Sequence, residues 1–266
     1  MDNKPLVSII TIVYNGEKHI EQTINSVLGQ TYSPIEYIII DGGSKDNTVP
    51  IIKKYEDRLA YWISEPDKGI SDAFNKGLRQ AKGEWIGIIN ADDWYEPDAV
   101  QKVVEAAGNH DLVFGDVQYW KNSERSFIQI CNSEYLERDV SIIHPSVFVK
   151  RSAYAQHGYF DTDLRCAMDY ELLLRLKLKG CSFVHVPTVI ANMRWEGFSD
   201  KNWKLGLEEV LLIKNRFFPG RKFNNYIFHY RKVWAITIIK LMEKMGLHSL
   251  LRFYRERFSK LKKTYK

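Results

Sequence analysis

Two adjacent carboxylates, Asp92 and Asp93, close the run Trp85-Ile-Gly-Ile-Ile-Asn-Ala-Asp-Asp-Trp94. The apolar residues before them read as a buried strand that delivers both acids to its C-terminal end. Neighbouring carboxylates repel each other. The pair is cheap only when it is well solvated or when a hard cation lies between the two acids. In an α/β protein the carboxyl ends of parallel strands are where ligands bind. The chemistry predicted is a divalent cation, Mn²⁺ or Mg²⁺, holding a phosphate. The competing reading is a surface turn before a helix starting near Pro97, with an Asp as its cap.

A third acid, Asp169, lies three and four residues before Leu172 and Leu173, at the start of a helix predicted over about 168–179. That spacing puts it on the side of the apolar stripe. An inward-facing Asp there is a candidate general base; the alternative is an N-cap. His144, before Pro145 and a short strand, could reach the same cleft or be structural. Two further loops follow predicted strands. One is Thr11 to Gly16. The other is Asp41-Gly-Gly-Ser44, where adjacent glycines permit close backbone approach and the strand-end acid can accept from a base or ribose. A plain glycine-rich turn, with Ser44 or Asp46 capping the next helix, is the competing reading. Neither loop is a nucleoside-triphosphatase phosphate loop or a dinucleotide fingerprint, because both glycine patterns are absent.

These residues need a scaffold. Leu6–Val13 and Ile35–Ile40 are nearly continuous apolar runs rich in β-branched residues, as expected for parallel strands covered on both faces. Leu59–Ile63 and Glu84–Ile89 add two more. Between them, residues 17–28, 46–55 and 70–81 carry helical spacing. The β-α-β-α-β-α-β alternation predicts a mostly parallel sheet flanked by helices. From Asp111 the pattern changes to short strands, some antiparallel, over 112–115, 117–120, 127–130, 146–149, 183–186 and 189–193.

With 266 residues, 45% hydrophobic and 27% charged, the chain suits one folded α/β domain with an appendage and not a disordered protein. Three cysteines without metal-ligand spacing read as reduced thiols of a cytosolic protein. Met1-Asp-Asn-Lys-Pro5 leads straight into a strand, so no signal peptide is expected, and no run is long enough to span a bilayer. The charge is divided. Residues 200–266 hold 17 Lys and Arg against 5 Asp and Glu, a local +12, which leaves −7 over residues 1–199. The expected division is therefore a domain over 1–199 and a basic, aromatic, helical extension over 200–266. From Arg221 onward, basic residues alternate with aromatic and aliphatic ones. That suits an anionic membrane surface, or packing on the domain or on a second subunit in a homo-oligomer. Nucleic acid is not an expected partner, since no recognised motif accompanies the charge.

The ordered motifs resemble those of family 2 glycosyltransferases, inverting enzymes with a GT-A fold. They run from Ser8-Ile-Ile-Thr-Ile-Val-Tyr-Asn15 through Asp41-Gly-Gly-Ser-Lys-Asp-Asn-Thr48, Glu65-Pro-Asp-Lys-Gly69, Ala73-Phe-Asn-Lys-Gly77, Asn90-Ala-Asp-Asp93 and His144-Pro-Ser146 to Asp169-Tyr-Glu-Leu172. The forms around Asp41 and Glu65 look most like bacterial enzymes building capsule, O-antigen or exopolysaccharide. The resemblance implies that Thr11, Tyr14 and Asp41 line a nucleotide pocket and that Asp67 and Lys68 close it near base or ribose. It implies that Asp92 and Asp93 hold ribose and a divalent metal on the diphosphate, that Asp169 is the catalytic base, and that His144 stands near acceptor or diphosphate. The implied donor is a nucleoside-diphosphate sugar, UDP first, with GDP or dTDP as alternatives. The implied acceptor is a surface glycan on a polyprenyl diphosphate, met at the inner face of the cell membrane by a peripheral protein. Two positions depart from the family. Asn90 replaces the first Asp of the acidic motif, and Gly42 replaces an Asp that contacts uracil in some relatives. The family's Arg-x-His element appears as Arg194-Trp195-Glu196, and Glu196 is given no role. A sugar-phosphate nucleotidyltransferase is the alternative enzyme, although its glycine-rich basic loop is missing after the first strand. A non-catalytic membrane-attached scaffold would be expected to lose the acids that are all present here.

Overall fold

The computed structural model describes residues 4–195 and 201–247, with the backbone of residues 262–264. Glu196 lies outside the described residues, as do residues 248–261 of the extension. β1 (Val7–Val13), β2 (Ile35–Asp41), β3 (Tyr61–Ser64) and β4 (Trp85–Asn90) form a parallel block in the order β3-β2-β1-β4. Beyond β4 the sheet turns antiparallel through β8 (Val147–Lys150), β6 (Leu112–Lys121) and β7 (Glu124–Gln129). β9 (Phe183–Arg194) returns parallel to β6 and pairs at its far end with β5 (Trp94–Tyr95). β10 (Lys262–Thr264) pairs with β7.

Side-chain alternation along the strands divides the core in two. Val7, Ile9, Tyr37, Ile39, Trp85 and Ile89 face one side. There they pack under α1 (Ile20–Leu28) and α4 (Ala99–Ala107) through Ile24, Val27, Val100 and Val103. Ile10, Ile38, Ile40, Ile86 and Ile88 face the other side. α3 (Ile70–Gln80) and α6 (Met168–Leu178) cover them through Phe74, Leu78, Leu172 and Leu176. α2 (Thr48–Lys53) and α5 (Arg151–His157) complete the shell. The two C-terminal helices are α7 (Trp203–Phe217) and α8 (Lys222–Lys244). α7 places Val210 and Ile213 in the same buried cluster as Leu172, so it is part of the body and not an outlying arm.

β6 and β9 each read in sequence as two strands, and each is one strand with an irregularity. Gly115 pairs with Val186, but Asp116 pairs with Val189. Pro187 and Thr188 are bulged out, the usual place for a proline inside a sheet. A side chain at Gly115 would run into Ile190 and stand 3.0 Å from the Thr188 carbonyl, so the bulge needs glycine there.

Candidate active site

The loops after β1, β2 and β4 converge at the carboxyl end of the parallel block. They open onto one cavity of about 1550 Å³. The loop after β1 is held by the loop after β2. Asn15 takes a positive φ of 50°, which Asn tolerates. Its N–H donates to Ser44 Oγ at 2.7 Å, and its Oδ1 accepts from the Lys45 N–H at 2.8 Å. Gly16 and Glu17 donate to Thr48 Oγ1 and Asp46 Oδ2. This lattice fixes the wall from which the exposed Tyr14 ring projects.

Of the residues expected at the site, Tyr14, Asp67, Lys68, Asp92, Asp93, His144 and Asp169 all line the cavity. Thr11 and Asp41 do not. Thr11 belongs to the β1 alternation that faces α1 and α4; it is fully buried and bonded to Tyr37 Oη at 3.0 Å. Its neighbour Ile12 faces the cavity instead. Asp41 is fully buried, and its lone pairs are occupied by the Gly43 and Ser44 N–H groups and the Ser44 and Ser64 hydroxyls. Asp41 therefore shapes the glycine turn, with four hydrogen bonds made inside the protein. Gly42, beside it, leaves the space that the Asp67 carboxylate occupies; any side chain at 42 would collide with that carboxylate.

The two adjacent acids divide their work. Asp92 is half-buried and faces the cavity. Asp93 is buried, accepting from the Arg194 backbone N–H at 3.2 Å and from the Asn90 amide at 3.4 Å. Burial first, and then the charge of Asp92, pushes the Asp93 carboxyl well above the usual range. Arg194 closes this corner. Its guanidinium stacks 4.5 Å from the Trp94 ring and donates to the Asp92 carbonyl and to Gln22. Among the described residues no three metal-ligating side chains cluster. A hard divalent cation would find few protein ligands at this corner. The half-buried Asp92 would be its first oxygen ligand, with Asp93 behind it more buried and harder to ionise, and a diphosphate and water would have to supply the rest, as Mg²⁺ and Mn²⁺ accept readily.

Asp169 occupies the first turn of α6, one residue past the start. It is not the N-cap; that position is Ala167. Glu209 of α7 instead anchors the loop that leads into the helix, accepting the N–H groups of Arg165, Cys166 and Ala167 at 2.8 Å each. Asp169 lines the cavity, with one oxygen accepting the first-turn Tyr170 N–H at 2.7 Å. Burial pushes its carboxyl up to about 6, with the Tyr170 bond opposing and the charge of Glu209 adding. His144 lies between the rings of Phe74 and Phe160, at 5.3 and 5.6 Å. Burial lowers its pKa to about 4, so it is neutral at physiological pH. Glu209 could not be found by spacing, since it acts on a loop 42 to 44 residues away. Glu209→Ala should leave three N–H groups short of an acceptor and cost about 2–4 kcal/mol. Urea unfolding measures this; an unchanged midpoint would deny Glu209 that role.

Part of the remaining wall comes from the C-terminal region, where Trp203 of α7 and Lys232, Ala235, Ile236 and Ile239 of α8 line the cavity.

Comparison with known proteins finds relatives of the chain and of its fold. The family model described as glycosyl transferase family 2 matches residues 8–154. An uncharacterized glycosyltransferase of Mycobacterium tuberculosis is 35% identical over 205 residues, covering 74% of this chain and 78% of that protein. Among solved structures, Staphylococcus aureus TarS 1-349 in complex with UDP-GlcNAc superposes with a TM-score of 0.63 at 18% identity. That match covers 78% of this chain and 65% of the TarS chain, so the chain spans about two thirds of that relative. The mannosyltransferase PcManGT of Pyrobaculum calidifontis, in complex with GDP-Man and Mn²⁺, gives 0.67 at 17% identity over 96% of this chain and 83% of its own. At these identities the two structures show a shared fold.

Proposed function

The chain belongs to glycosyl transferase family 2, and from that membership we propose that its cavity moves a sugar from a nucleoside diphosphate to an acceptor hydroxyl. The observation that carries this reading is the presence of Asp92 and Asp169 on one cavity, each held there by a different part of the fold. Tyr14 offers a ring face to the base. Asp67 and Lys68, on the loop after β3, close the same end. A divalent cation bound at Asp92 would neutralise the charge that develops on the departing diphosphate.

Asp169 takes the proton of the acceptor hydroxyl as that oxygen attacks the anomeric carbon. The new carbon–oxygen bond forms on the face opposite the departing phosphate oxygen, which leaves with its electron pair as the nucleoside diphosphate. One displacement inverts the configuration. A carboxyl at about 6 is ionised at neutral pH yet more basic than an exposed Asp, which suits this task. Neutral His144 can donate one hydrogen bond without adding charge.

The proposed donor is a UDP-sugar, with GDP and dTDP as alternatives, carrying a hexosyl or N-acetylhexosaminyl group. The two structural neighbours hold UDP-GlcNAc and GDP-Man, which supports a nucleotide sugar of this class. The proposed acceptor is a growing surface glycan on a polyprenyl diphosphate, reached from the cytoplasmic side of the membrane. A thermal-shift series with UDP, GDP and dTDP in Mn²⁺ tests the donor site. One of the three should raise the melting temperature by several degrees, since ligand binding stabilises the fold by mass action. No shift with any of them contradicts the reading.

A further inference from the structure

α8 has two faces, a mixed inner one that packs on the body and an apolar outer one. The inner face carries Asn225, Phe228, Lys232, Ile236 and Ile239. It is fixed to the body by Asn225 to Asn215, His229 to the Leu207 carbonyl and an ion pair from Lys232 to Asp139. Lys214 of α7 lies 3.8 Å over the Phe228 ring. The outer face carries Phe223, Ile227, Tyr230, Trp234, Ile238, Leu241 and Met245, the last just past the helix end. All seven are exposed, Phe223 to 78%, Trp234 to 70% and Met245 to 64%. At 3.6 residues per turn they fall within about 40° of Trp234 and form one stripe roughly 33 Å long. A single exposed Leu needs no explanation, but a continuous stripe of seven marks an interaction surface.

We propose that this stripe lies in the headgroup region of an anionic bilayer, so that α8 is at once the membrane contact and a wall of the acceptor end of the cavity. Charge decides the occupant. Lys222, Arg231 and Lys244 are exposed along the helix. From Lys222 to Lys244 the sequence holds five basic residues and a single acid, Glu243. Each basic side chain near such a surface contributes about 1 kcal/mol. Trp and Tyr at the centre of the stripe suit the boundary between water and hydrocarbon. A second copy packed on the stripe would bring the two rows of basic residues together instead. The helix lies on the membrane and does not cross it, since among the described residues no helix is long and apolar enough to span. Because its inner face lines the cavity, the cavity opens beside the bilayer, where the sugar end of a lipid-linked acceptor would be.

The purpose of this surface rests on the transferase reading, but its existence does not, and the two fail separately. The test is flotation of the full chain with vesicles of phosphatidylcholine, with and without phosphatidylglycerol. The wild type should float with the anionic vesicles and be released as salt rises from about 0.05 to about 0.5 M. Trp234→Glu with Leu241→Glu should weaken flotation at least about tenfold while leaving the melting temperature and nucleotide binding unchanged. A wild type that ignores anionic vesicles at low salt overturns the proposal. So does a double variant that floats as well as wild type, or a stripe-dependent dimer in light scattering without vesicle binding. Vesicle binding without nucleotide binding would instead remove the transferase reading and leave the surface standing.

Discussion

Asp169→Asn should keep the fold and nucleotide binding and lower the rate of sugar transfer by about 10²–10⁴, the usual worth of a general base. Asn is nearly isosteric and can still accept the Tyr170 N–H, so α6 has no reason to shift. Burial disfavours the ionised Asp169, so its replacement by a neutral group should not lower the melting temperature. Wild-type kcat/KM should also carry the signature of this group. The free enzyme holds Asp169 protonated below its raised pKa of about 6, so activity should rise with pH through that value. Transfer is followed by mass spectrometry once a donor is known. A variant retaining more than about a tenth of wild-type rate, an effect below about 1.4 kcal/mol, would show that Asp169 is not the base.

Asp92 and Asp93 should separate cleanly. Calorimetry of the preferred nucleoside diphosphate should show binding at least about tenfold tighter with Mn²⁺ than with chelator, and Asp92→Ala should abolish the difference. Asp92 faces the cavity, so its loss should leave the melting temperature close to wild type. Asp93→Ala should do the reverse in part, because it leaves the half-buried Arg194 N–H and Asn90 amide without their acceptor. That loss is worth about 1–3 kcal/mol of stability. Equal nucleotide affinity with and without metal in the wild type would remove the cation from this corner.

The contrast between these two acids shows what can be read from a sequence. β1, β2 and β4 were legible because a parallel strand buried on both faces must be a β-branched run, and its end must face the ligand side. The acid pair was legible as a pair. Which of the two is the more exposed to the cavity depends on Arg194, about a hundred residues later, and so was not. Thr11 and Asp41 show the same limit from the other side. Strand parity turns Thr11 into the α1 side of the core, and a strand-end Asp looks alike whether it binds a ligand or closes its own glycine turn. Glu209 and the inner face of α8 had no local signal at all. Both come from the basic C-terminal region, whose charge pointed to a membrane or a packing partner, and in the structure one face of α8 packs while the other stays exposed.

The most direct test of the central claim uses water as the acceptor, so that the natural one need not be known. Proton and phosphorus NMR would follow a panel of UDP-, GDP- and dTDP-sugars with the enzyme and Mn²⁺. The account predicts that one donor is consumed, that the phosphorus product is the nucleoside diphosphate, and that the free sugar first appears as the anomer opposite to the donor. It also predicts that Asp169→Asn abolishes this turnover. Release of a sugar 1-phosphate would point to nucleotidyl chemistry, and first appearance of the same anomer as in the donor would contradict a single displacement with Asp169 as its base.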